Sequence, residues 1–343
     1  MKCLRSLWLA LFLGLVINSA PAANWVVYEG EKGPGKGKHI VFLAGDEEYR
    51  SEEGLPMMAK ILSVRHGFKC TVLFSLNPET GEIDPNNQKN IPGMETLKTA
   101  DLVIMLWRFR ALPDDQMKYF VDYYESGKPI IALRTSTHAF NYPKDSDSKY
   151  KKYSFNSSEW KGGFGKQVLG ETWVAHHGAH KREATRGIIE ASAKDHPVLK
   201  GVTDIFGDSD VYTATPPPDA NILVRGQVLV GMKPTDPPVE GKQKPTDKFE
   251  KNNPLQPIVW TREYKNEAGK TNKILTTTMG AATDLQSEGL RRLLVNGSFW
   301  ALGMEKSIPA KANVDYVGEF KPTMYGFNGA KKGTKPSDYE LKK

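Results

Sequence analysis

Cysteine is almost missing from this chain: Cys3 and Cys70 are the only two among 343 residues. Loss of the N-terminal leader described below would leave one thiol, so no internal disulfide can form and stability must come from the core. Cys70 opens the apolar run 70–74 and reads as a buried structural thiol rather than a nucleophile. A phosphate loop of the G-x-x-x-x-G-K-[ST] type is also missing, and no G-x-G-x-x-G joins a strand to a helix. The glycines around 162–165 therefore read as tight turns beside a pocket. There is no H-E-x-x-H and no cysteine partner for the histidines, so the sequence requires no cofactor. Imidazole still admits a divalent metal. Past residue 22 no apolar run is long enough to span a bilayer. The formal charge is +7, or +5 once Lys2 and Arg5 leave with the leader. The lysines are scattered through loops rather than set in a stripe among aromatics, which argues against nucleic acid as a partner.

What is present begins with a secretory pattern. Lys2 and Arg5 precede an apolar stretch, 7–17, and Ala20-Pro21-Ala22 is an A-x-A cleavage site. Residues 1–22 are expected to be a signal peptide and the mature chain to be exported, periplasmic or extracellular, with no membrane contact after cleavage. The remainder alternates strand and helix. Residues 101–107 and 129–133 are short apolar runs of the kind that form buried strands. Between them Met117, Phe120, Val121 and Tyr124 share one helical face, with Pro113 at the start and Gly127 at the end. Residues 39–44 open a similar unit, whose helix carries Leu55, Met58, Ile61 and Leu62 and ends at Gly67. Strands at 258–264 and 273–279, joined by a hairpin turn, precede a last helix at 287–302. The predicted fold is α/β, a mainly parallel sheet flanked by helices, over 39–303. A Pro/Lys/Asp-rich mobile insertion is expected at 233–257 and an extended C-terminal tail at 304–343.

Sites in open α/β sheets lie beyond the carboxyl ends of strands. The residues predicted there are Asp46 and Glu47 after the first main strand, Trp107, Arg108 and Arg110 after the second, and Arg134, Thr135 and His138 after the third. His176 and His177 follow a further apparent strand. Adjacent strand residues face opposite ways, so one of the two is expected at the site and the other to pack. His180, beside Lys181 and Arg182, is expected at the surface. Trp107, Trp173 and Tyr212 are candidate aromatic walls. Carboxylates, arginines and flat aromatics suit a small carbohydrate. His138 or His177 is the expected general base, Asp46 or Glu47 the acid or the group that orients the base, and Arg134 the stabiliser of developing negative charge. Arg108, Arg110, Thr135, His176 and Tyr212 are assigned to substrate binding. Asp46 and Glu47 are adjacent and therefore poorly placed to flank a glycosidic bond.

Several landmarks, in order, resemble the ThuA-like (trehalose-utilisation) family. They are Gly45-Asp46-Glu47-Glu48, the run from Leu133 to His138, Gly162-Gly163-Phe164, the run from His196 to Gly201, the run from Pro257 to Arg262, and the run from Leu293 to Gly303. The resemblance implies a fold similar to class I glutamine amidotransferases, a flavodoxin-like three-layer arrangement, in a secreted bacterial subgroup. It also implies metabolism of a disaccharide or an oxidised keto-sugar. Two departures bear on mechanism. The turn after the central strand, Leu133 to Thr137, holds no cysteine, so thiol-dependent glutamine hydrolysis is excluded. Ser136 and Thr135 sit on that turn, but no G-x-S-x-G surrounds them. Ala281 stands where many relatives carry histidine. The two functions left open are a carbohydrate-active hydrolase or lyase using acid/base chemistry, and a non-catalytic sugar-binding module.

Overall fold

Every residue of His39–Gly45 is buried, which requires cover on both faces of the strand it forms. The computed structural model describes residues 24–242 and 249–341. The expected signal peptide, 1–22, lies outside the described residues, as does the 243–248 part of the expected insertion. The strands are β1 (Trp25–Tyr28), β2 (His39–Gly45), β3 (Lys69–Phe74), β4 (Leu102–Trp107), β5 (Ile130–Leu133), β6 (Thr185–Ile189), β7 (Ile205–Gly207), β8 (Asn221–Val228), β9 (Gln256–Lys265) and β10 (Thr271–Thr277). The α-helices are α1 (Ser51–His66), α2 (Asp114–Glu125) and α3 (Glu288–Ala301). Among the described residues no helix is long and apolar enough to cross a membrane.

All ten strands join one sheet in the order β1-β3-β2-β4-β5-β10-β9-β8-β6-β7. Strands β3, β2, β4, β5 and β10 are parallel neighbours. The remaining pairings are antiparallel. The sheet is therefore mixed, which corrects the expectation of a mainly parallel one. The reason is the length of the connections. β3 and β5 follow helical crossovers through α1 and α2, whereas β9 turns into β10 through a tight hairpin where Asn266 accepts the N–H of Gly269, and a tight hairpin forces antiparallel pairing.

Alternate residues of β2 feed two cores. Ile40 and Phe42 pack with Leu55 and Leu62 of α1 and with Leu290 and Phe299 of α3. Val41 and Leu43 face Met117 and Phe120 of α2. The face of α2 agrees with its sequence period, and Gly127 closes the helix in the left-handed region at φ 82°. Helices α1 and α3 differ from a half-exposed surface helix because the C-terminal segment crosses their outer sides. His66 bonds the Asn313 carbonyl at 2.7 Å, and buried Arg291 and Arg292 of α3 donate to the carbonyls of Val314 and Ala312. The segment ends with Tyr339 stacked on Phe74 and its carbonyl accepting from Tyr28. Part of 233–257 is also ordered onto the sheet: Asn252 bonds both backbone groups of Val228, and β9 already begins at Gln256.

Candidate functional site

Three strand ends, those of β2, β4 and β5, each lead into a non-glycine residue in the left-handed region: Arg50 (φ 57°), Phe109 (φ 54°) and Arg134 (φ 37°). Such conformations persist only where surrounding contacts over-determine them, and they cluster at functional sites. The contacts here are specific. After β2, the carboxylate of Asp46 accepts the backbone N–H groups of Glu48 and Tyr49 and the hydroxyl of Thr135. It is wholly buried and organises the turn, which leaves it no free oxygen for acid catalysis. Glu47 is held by Arg108 and Arg110. Burial and the Asp46 charge push Glu47 up from the ordinary carboxylate range, against the pull of the two arginines. Arg110 has no exposed surface and also donates to Ser75, Pro85 and Asn87, so it staples a loop rather than binding substrate. Trp107 lies in the core against Phe120 and Phe140 and forms no wall. Ser136 bridges β4, donating to the Met105 carbonyl and accepting from Trp107 N–H, so it is not a free nucleophile.

The guanidinium of Arg134 lies between the rings of Tyr49 and Tyr212, 4.2 Å from each centroid. It donates to the carbonyls of Thr278 and Asp210 and, at 3.0 Å, to Asp210 Oδ1. With no exposed surface it fixes Asp210 instead of touching substrate, which corrects the role expected for it. Asp210 is the centre of the site. His176 Nδ1 donates to its Oδ2 at 2.6 Å and His180 Nδ1 to its Oδ1 at 3.0 Å. Burial opposes ionisation of Asp210, but the bonds from His176 and His180 and the charge of Arg134 outweigh it and hold the carboxyl well below its usual range. The other nitrogen of His180 lies 3.2 Å from Glu48 Oε1. Burial first, and then Asp46, push Glu48 upward. Tyr325 of the C-terminal segment covers this group, with its ring 5.2 Å from Tyr49 and 5.5 Å from His180.

Placing His180 in the site overturns the surface position expected for it. Gly178 makes this possible: a Cβ there would stand 3.1 Å from the Asp210 Cβ, so glycine lets the 176–180 turn close on the aspartate. His177 points away. Its Nε2 donates to the Lys251 carbonyl at 2.7 Å and its ring stacks on Phe249, so the structure does not bring it to the cluster. His138 is buried among Phe109, Phe155 and Trp173. Burial, and then the charges of Arg108, Arg134 and His176, push its pKa well below the ordinary value. It is a neutral part of an aromatic wall that continues through Trp173 to His176, 5.8 Å beyond. Arg108 borders the wall, stacked on Phe109 and on Phe327 of the C-terminal segment. Asp210, Glu48 and His180 were absent from the expected site; the one local signal for His180 was its four-residue spacing from His176.

The profile of the ThuA family, described as trehalose utilisation, matches residues 40–301. No curated protein matches the chain. Among solved structures, a ThuA-like protein from Bacteroides uniformis shares 15% identity with a TM-score of 0.46, covering 83% of this chain and 100% of that one. Another from Parabacteroides merdae shares 14% identity with a TM-score of 0.49, covering 90% and 100%. The match over 40–301 takes in β2 through α3, with every strand end that builds the site, and on that match the chain belongs to the ThuA family.

Proposed function

We propose that the protein acts in carbohydrate utilisation outside the cytoplasm, on a disaccharide or a keto-sugar, by acid/base chemistry without a thiol nucleophile. The observation that carries this reading is the Asp210 cluster set at the end of an aromatic wall. His176 is the most exposed member of that cluster, its side chain 35% exposed against 28% for His180. The Nδ1–H of His176 is held by the buried Asp210 carboxylate, which orients the ring and leaves Nε2 to exchange a proton with substrate. Phe109, Phe155 and Trp173 offer half-buried faces for the apolar side of a sugar ring, and Arg108 offers donors to its hydroxyls. The amidotransferase-like, flavodoxin-like core belongs to the same proposal. Its support is the parallel order β3-β2-β4-β5-β10 and the strained turn after β5, where Arg134 occupies the place a nucleophile would need.

A non-catalytic sugar-binding module is the second reading. It is favoured by the engagement of Asp46, Glu47 and Arg134 in structural contacts. The two separate in one experiment: turnover of disaccharides and their 3-keto derivatives by wild type and His176→Gln, with binding followed by thermal shift. Acid/base catalysis predicts product formation that falls at least a hundredfold in the variant while binding persists. Binding without product in wild type would establish the module.

A further inference from the structure

We propose that His176, His180 and Asp210 form a binding site for one first-row divalent transition-metal ion. The ion would lie between the Nδ1 atoms of the two imidazoles and the Asp210 carboxylate, and Glu48 would support it from behind His180. The inference goes beyond the carbohydrate reading and does not rest on it.

The first argument is convergence. One nitrogen from each imidazole and one carboxylate oxygen lie within 4.8 Å of one another. The Nδ1-to-carboxylate separations are 2.6 and 3.0 Å. Bonds of about 2.0–2.2 Å to an ion set neighbouring ligand atoms roughly 3 Å or slightly more apart, so loading needs displacement of the two Nδ1 protons and small side-chain movements. Two imidazoles and a carboxylate suit zinc, iron, manganese or nickel, and the partly exposed side of His176 leaves coordination positions open.

The second argument is an inventory of hydrogens. His180 faces a carboxylate at each ring nitrogen, Asp210 at Nδ1 and Glu48 at Nε2. A neutral imidazole has one N–H and cannot donate to both. An ion at Nδ1 with the N–H at Nε2 satisfies both sides, and it is the arrangement in which a ligating histidine donates its other N–H to a carboxylate. An imidazolium would satisfy them too, and that is the competing account.

The third argument is the support behind the ligands. Asp210 is held by Arg134, which is itself clamped between Tyr49 and Tyr212, so the carboxylate is fixed before any ion arrives. In the loaded protein the imidazoles act as ligands, and the acid/base role passes from His176 to whatever the open coordination positions bind.

The test uses the untagged chain stripped with a chelator and then titrated with Zn2+ and with Co2+ by calorimetry. The expected result is one ion per chain, with affinity at least tenfold weaker in His180→Gln and in Asp210→Asn, and visible Co2+ absorption bands in the wild type. Should Asp210→Asn fail to fold by circular dichroism, His176→Gln, at the exposed rim, replaces it and is expected to show the same loss. Absence of saturable uptake by the wild type overturns the proposal and favours the imidazolium. Uptake unchanged in the folded variants also overturns it, because the ion is then elsewhere. Uptake without any sugar binding or turnover would sink the carbohydrate reading and leave the metal site standing.

Discussion

The residue that governs this site is Asp210, and its value depends on what surrounds it. A carboxylate with no exposed surface is costly unless paired, and here Arg134, His176 and His180 all point at it. Asp210→Asn keeps the shape but leaves the Arg134 guanidinium buried without its counter-charge. A loss of roughly 3–5 kcal/mol of unfolding free energy is expected, measurable by urea denaturation. A loss within the error of that measurement would mean that the tyrosine sandwich alone holds Arg134. A second buried carboxyl behaves in the opposite sense. Glu52, in the first turn of α1, is buried with no hydrogen-bond partner for either oxygen among the described residues. Burial pushes its carboxyl up to about 8 from 4.5. A raised carboxyl favours the protonated folded state, so its stabilising contribution is complete below the unfolded value and is lost as pH rises through the folded one. Glu52→Gln is expected to raise the melting temperature by several degrees near pH 9 and to change it little near pH 4. Equal shifts at both pH values would show that packing, not ionisation, is what the substitution alters.

At the scale of single elements, local patterns and tertiary cover divide the work. Helix α3 starts where Ser287 caps it, its hydroxyl accepting the N–H of Leu290 at 3.2 Å and that of Phe206 at 3.2 Å. Ser287→Ala removes the cap and one link to β7, with an expected cost of about 1–2 kcal/mol in equilibrium unfolding. The face of α2 and the hairpin of β9 and β10 were readable from apolar spacing and turn residues, because each is set by neighbours close in the chain. The mixed pairing of the sheet was not. Periodicity marks a strand but carries no direction, and direction here follows from which connection, helical or tight, joins each pair.

Across the whole molecule, the segment after α3 turns an α/β sheet into a closed site. It lies outside the span of the family match yet contributes Tyr325 over Tyr49 and His180, and Phe327 beside Arg108. It also buries Ile308, Ala312 and Val314 against the helical face of the first core. A chain ended after residue 303 is expected to expose that face, to bind a hydrophobic dye, and to melt at a lower temperature. Loss of Tyr325 and Phe327 alone, by the double change Tyr325→Ala and Phe327→Ala, is expected to weaken sugar binding with a smaller drop in melting temperature. Unchanged sugar affinity in that double variant would remove the segment from the binding surface.

Linear pattern was sufficient for the α/β class, for the buried thiol of Cys70 and for the absence of a cysteine at the turn after β5, because each depends on residue type and near-neighbour spacing. It also brought Arg134 and one histidine of the 176–177 pair to the right end of the sheet. The contacts each makes were decided only by folding. Trp107, Arg110 and Asp46 have the chemistry of site residues but lie in the interior, where their polar groups are consumed by the scaffold. His180 and Asp210, thirty residues apart, meet only because the intervening β6 and β7 pair antiparallel, with Thr185 opposite Gly207, and Gly178 lets the turn close. Proximity between distant residues is a property of the packed chain, and charge, exposure and partner follow from it.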